Sequence, residues 1–121
     1  MSSPKPPAWL LCALLLTLSA APALAHHWFK GQYDENQRIT LSGTVTKVIW
    51  RNPHVLLSID VKEGSSEATK WELELASPNG LMSQGWKLDS FKPGDQVIVN
   101  GYRAKNGSNL ASAWKVTLAA R

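Results

Sequence analysis

The sequence has one cysteine, Cys12, and three histidines in 121 residues. Because Cys12 sits in an N-terminal segment that reads as removable, the rest of the chain can form no disulfide, Cys-ligated zinc site, cysteine nucleophile or iron–sulfur cluster. Also missing is an apolar run of the about 20 residues that a membrane-spanning helix needs. The longest uncharged apolar run, Ala8 to Leu18, falls well short of it. There is no phosphate-cradling glycine loop and no dinucleotide-binding glycine pattern. The histidines stand beside no Ser or Thr nucleophile motif, so a hydrolytic triad has little to rest on. Charge of one sign is lacking too. Lys and Arg number 13 against 9 Asp and Glu, a net charge of +4, too mild and too scattered to demand nucleic acid or anionic lipid as a partner. The protein is expected not to be an enzyme.

What is present begins with an export signal. Met1 to Pro7 carries Lys5, Ala8 to Leu18 is apolar, and Ala23-Leu24-Ala25 supplies small residues for a signal peptidase. Cys12 follows the bulky Leu11 inside the apolar core rather than at its end, which disfavours a lipoprotein. The chain therefore divides into a signal peptide over 1–25, an N-terminal lead-in over 26–37 and a domain over 38–121. The expected location is the periplasm, with no membrane span in the mature chain.

The domain reads as strands. From Arg38, Ile39, Leu41, Gly43 and Val45 alternate with Thr40, Ser42, Thr44 and Thr46, a period of two rich in β-branched residues. The apolar phase then moves to Val48 and Trp50, which predicts a bulge near Thr46 or Lys47. Asn52-Pro53 breaks the ladder. A second strand follows with Val55, Leu57, Ile59 and Val61 on one face, then a polar loop over 63–69 that holds Gly64. In the third strand Trp71, Leu73 and Leu75 point inward. Glu72 and Glu74, about 7 Å apart on its other side, read as a solvated face rather than a glycosidase pair. Ser77 as N-cap, Pro78 at the first helical position and Gly85 at the stop predict a two-turn helix. The turn Lys92-Pro93-Gly94-Asp95 launches a fourth strand, and Asn106-Gly107 predicts a tight hairpin into a fifth. In that last strand Leu110, Trp114, Val116 and Leu118 are expected on the core side. Mainly β, five strands with one short helix between strands 3 and 4, is the order of an OB-like β-barrel.

A wider pattern accompanies these elements. Ala25-His26-His27, Tyr33-Asp34, the run from Gly43 and Val45 through Trp50-x-Asn52-Pro53-His54-Val55, Ser77-Pro78-Asn79, Gly85-Trp86 and Lys92-Pro93-Gly94-Asp95-x-Val97 together resemble a family of small exported bacterial proteins of unknown function. The resemblance covers essentially the whole mature chain. It implies an OB-like barrel and export, and it implies no activity. Trp28 and Gly80 depart from its pattern.

Function must then come from the side chains. Trp50, Trp71, Trp86 and Trp114 could stack bases while Lys47, Arg51, Lys70, Arg103 and Lys115 track phosphates. Trp71 and Trp114 share faces with core residues, however, and an exported protein meets little single-stranded nucleic acid, so nucleic acid is not an expected partner. The histidines carry the sharper signal. Cleavage after Ala25 makes His26 the first residue, where α-amine and imidazole together chelate a metal, and His27 or His54 adds a further nitrogen. Such an all-nitrogen set suits Cu(II). The expected metal residues are His26, His27 and His54, and the expected ligand is copper or another divalent metal. The alternative is a periplasmic OB-fold module without metal, binding a sugar, a peptide or an unknown periplasmic protein. The intact mass of the exported protein should correspond to a chain beginning at His26; a chain beginning at Pro22, or an uncleaved one, contradicts this processing.

Overall fold

The computed structural model describes residues 3–4, 29 and 31–120, the side chain of residue 120 excepted. The chain separates into a unit over Met1–Gly31 and a unit over Gln32–Arg121, and the second is the subject below. His26, His27 and Trp28 lie outside the described residues.

Five strands, β1 (Tyr33–Ile49), β2 (Leu56–Val61), β3 (Thr69–Glu74), β4 (Gln96–Ala104) and β5 (Leu110–Ala120), close a barrel in the order β1-β2-β3-β5-β4, with helix α1 (Pro78–Ser83) between β3 and β4. All neighbours are antiparallel except β3 and β5, which run parallel. This is the five-stranded OB-like barrel that the strand pattern predicts. Strand β1 begins at Tyr33, five residues before the alternation becomes visible at Arg38, because Asp34 to Gln37 form an irregular stretch between the Tyr33–Ala104 and Arg38–Tyr102 pairs.

Strand β1 serves two partners. Thr40 to Thr44 pair with β4, and Thr44 to Ile49 pair with β2. The change of partner occurs around Gly43, where a Cβ would lie 2.7 Å from the Asp60 carbonyl oxygen. The register shifts between Val45 and Lys47, which is the predicted bulge. The bulge turns Val48 and Trp50 toward the core, as a strand bending into a small barrel requires.

The core is built from alternate residues of the strands. Val55, Leu57, Ile59 and Val61 of the β2 segment, Trp71, Leu73 and Leu75 around β3, and Val97 and Val99 of β4 are all buried, joined by Val45 and Ala111. Leu81 of α1 plugs one end. The helix is fixed at both termini: the Ser77 hydroxyl accepts from the Gly80 N–H at 3.1 Å, and the Gln84 and Gly85 N–H groups donate to Leu81 and Met82 carbonyls. The Lys92–Asp95 turn closes as expected, with Gly94 at φ 95° and the Asp95 carboxylate accepting from the Lys92 N–H at 3.0 Å.

One predicted face is corrected. Trp114, expected inward with Leu110 and Val116, is 48% exposed, and Leu118 is 37% exposed. At Trp114 the cause is a register shift between Asn100↔Lys115 and Gly101↔Ala113, which leaves Trp114 as the extra residue on β5 and turns its ring out; Leu118, opposite Val97, stands beside a further shift between Gln96 and Val97.

Two substitutions test this packing. Trp71→Ala removes a buried ring and should cost about 3 to 5 kcal/mol in denaturant unfolding, and Gly43→Ala should cost more than about 1 kcal/mol, since backbone must move to admit the methyl group. Values near zero for either contradict the assigned core or the close approach of β1 to β2.

Candidate functional site

Of the three predicted metal residues, the described structure contains His54. It precedes β2, in the segment that follows the Asn52–Pro53 break, and its neighbours Val55 and Leu75 tie that segment to the end of β3 through paired backbone hydrogen bonds. The ring is thereby held over the barrel rim. His54 Nδ1 lies 2.8 Å from the Leu75 carbonyl oxygen. A carbonyl only accepts, so Nδ1 carries a proton and donates it.

The other ring nitrogen then faces a carboxylate. His54 Nε2 is 3.2 Å from Glu74 Oε1, with the histidine side chain about two-fifths exposed and the glutamate mostly covered. Glu74 is the last residue of β3, and its other oxygen, Oε2, accepts a hydrogen bond from the Tyr33 hydroxyl. Tyr33, Glu74 and His54 therefore form one chain of polar contacts joining the start of β1, the end of β3 and the approach to β2. Glu74 is not the solvated residue that alternation suggests. Its strand neighbour Glu72 is solvated, paired only loosely with Lys70 at 3.8 Å.

The electrostatics of this chain are specific. With Nδ1 protonated, neutral His54 presents the Nε2 lone pair to a carboxylate that also offers lone pairs. Two acceptors at that distance repel unless a proton or a metal cation lies between them. A histidine whose Nδ1–H is held by a backbone carbonyl is also the arrangement that leaves Nε2 oriented for coordination. Among the described residues no three His, Cys, Asp or Glu side chains cluster as a metal set, so the barrel by itself offers His54 and Glu74.

Neither Tyr33 nor Glu74 is among the site residues expected from sequence. Tyr33 stands 41 positions from its partner, and no local pattern joins a tyrosine in the expected lead-in to a glutamate of the third strand. Burial, then the hydrogen bond to Glu74 and that carboxylate's charge, push the Tyr33 phenol well above its ordinary range. In the unfolded chain the phenol loses its proton near pH 10, so above about pH 10 the folded state binds more protons and stability falls as pH rises. Unfolding midpoints in denaturant should decline above about pH 10 less steeply in Tyr33→Phe than in the native protein; identical slopes contradict the buried contact.

A second surface lies on the outer side of β1, β4 and β5. The Tyr102 and Trp114 rings are 4.5 Å apart at a 44° tilt. The Arg38 guanidinium lies 6.0 Å from the first ring centre and 5.8 Å from the second. Trp114 also borders a groove of about 340 Å³ with Leu75, Leu81 and Trp86. Trp71, by contrast, is buried beneath Arg103, whose guanidinium is 5.0 Å from the ring centre.

Comparison with known proteins bears on both surfaces. Among solved structures, two crystal forms of the mitochondrial single-stranded DNA binding protein Rim1 from S. cerevisiae superpose with TM-scores of 0.55 and 0.54 at 9% identity. They cover 69% of this chain and 93% and 92% of theirs. At that identity the likeness shows the barrel fold. It also corrects the expectation that nucleic acid is no partner. That expectation takes Trp114 as core-facing, whereas its ring is 48% exposed, and the two structures named above are of a single-stranded DNA binding protein. Among the described residues no helix is long and apolar enough to cross a membrane. No curated protein gives a significant sequence match. A family model described as a family of unknown function, DUF6152, matches residues 13–113. The chain belongs to that family.

Proposed function

We propose that this is an exported, periplasmic barrel protein that binds a divalent metal, copper foremost, at the His54–Glu74 pair. The observation that carries the reading is the facing of His54 Nε2 and Glu74 Oε1 at 3.2 Å, with Nδ1 committed to the Leu75 carbonyl. A cation between the two satisfies both lone pairs, and Tyr33 holds the carboxylate from behind as an outer-shell partner. A nitrogen and an oxygen donor on a partly exposed rim suit Cu(II) above Ni(II) and Zn(II) by the general affinity order. The protein would serve as a carrier or buffer, since two fixed donors with open positions favour exchange over permanent enclosure. His26 and His27 enter the reading from their chemistry at a mature terminus, where amine and imidazole chelate together. Export is supported by the lysine, the apolar run and the Ala-x-Ala site that precede them.

Protein recovered after export with its native N-terminus should retain about one equivalent of copper after loading and dialysis, and His54→Ala should weaken binding by at least about tenfold in calorimetric titration. Glu74→Gln should weaken it while leaving the barrel folded. A chain extended by one residue before His26 tests the terminal amine separately. Equal copper affinity of the native protein and His54→Ala overturns the assignment of the rim.

A further inference from the structure

The outer face of β1, β4 and β5 has a composition unlike the rest of the surface. Along the paired stretch the outward positions are Arg38, Thr40, Ser42 and Thr44 on β1, and Gln96, Ile98, Asn100 and Tyr102 on β4. Trp114 and Lys115 add to it from β5. No Asp or Glu occurs among them. Thr40 Oγ1 donates to Asn100 Oδ1 at 3.0 Å, and Gln96 Nε2 donates to Thr44 Oγ1 at 2.8 Å. These two rungs stand four residues apart on β1, about 13 Å along the strand. Each leaves unused capacity of both kinds: the Asn100 amide retains donors, and the Gln96 carbonyl and both hydroxyl oxygens retain acceptor sites. Beside them stand the exposed Trp114, the Tyr102 ring tilted against it, and Arg38 across both. Among the described residues no carboxylate pairs with Arg38.

We propose that this face binds an acidic polysaccharide, with a sugar ring packed on Trp114 beside Tyr102, a sugar carboxylate on Arg38, and hydroxyls on the Thr40–Asn100 and Thr44–Gln96 rungs. A sugar ring has an apolar face of C–H groups and a rim of hydroxyls that both donate and accept. The first suits a large, rigid, half-exposed aromatic ring, and the second suits the mixed capacity of amide and hydroxyl side chains. The planar guanidinium fork pairs with a carboxylate through two parallel hydrogen bonds, and a face whose charged groups along β1, β4 and β5 are Arg38 and Lys115, with Asp60 of β2 at its edge beside Thr44, is complementary to an anionic chain. A polynucleotide fits the same face less well. A deoxyribonucleotide backbone only accepts hydrogen bonds, so the acceptor capacity of the two rungs finds no donor along it. The groove bordered by Trp114, Leu81 and Trp86 continues the aromatic platform and gives a linear polymer a path past the helix. This inference is independent of any metal at His54.

The test is affinity electrophoresis of the purified full chain through gels containing polygalacturonate, with dextran as the neutral polymer and oligothymidylate as the polyphosphate. Polygalacturonate should retard the protein, and Trp114→Ala and Arg38→Gln should each raise the dissociation constant by about tenfold or more. Both residues are exposed, so the variants fold, which circular dichroism verifies. Lys62→Gln removes the same charge beside the β2–β3 hairpin and should change affinity by less than about twofold. An equal loss in Lys62→Gln, unchanged binding in Trp114→Ala, equal retardation by dextran, retardation by oligothymidylate alone, or none by any polymer each overturns the proposal.

Discussion

Strand β1 has to pair with β2 and β4 at once, and the rest of the molecule depends on how it does so. At Thr44 the strand is bonded on both sides, to Asp60 and to Gln96. The strand turns from one partner to the other there, and β1 passes against β2 too closely for a side chain at residue 43. A bulge two residues later restores the inward phase. Barrel closure follows, and with it a core that a short chain without disulfides can bury on all sides.

Closure also decides where polar groups meet. Glu74 ends β3 opposite Leu56 of β2 and Ser112 of β5, which places its carboxylate at the rim. The same closure brings Tyr33, the first residue of β1, and His54, two residues before β2, to that carboxylate, giving the Tyr33–Glu74–His54 chain. On the outside, the second bulge, on β5, moves one large aromatic ring from core to surface and makes a platform with Tyr102 and Arg38. Barrel closure thus shapes the rim, and a local irregularity on β5 shapes the outer platform.

Much of this architecture is legible in the amino-acid order because it is local. The alternation in β2 and β3, the Ser77 cap, the turn at Gly94 and the first bulge each leave a mark within a few residues. The second bulge leaves none: Ala113-Trp114-Lys115 shows no break in apolar phase, and only the register against β4 reveals it. The polar rim is illegible for a different reason. Its members lie about 20 and 41 positions apart, and a glutamate in an alternating strand looks solvated until the barrel closes. His54 could be picked out by type, at a strand mouth after a proline break. Its partners could not. His26 and His27 stand out by their terminal chemistry and lie outside the described residues.

The central claim is that the rim, through His54 Nε2 and Glu74, is where a divalent cation binds. Nitrogen-detected nuclear magnetic resonance of the imidazoles, followed by substoichiometric Cu(II), addresses it most directly. The account predicts that His54 carries its proton on Nδ1 when neutral, and that copper first broadens His54, Glu74 and Tyr33 while Trp114 and Tyr102 stay sharp. A His54 protonated on Nε2 alone, or copper broadening that spares His54, would contradict it.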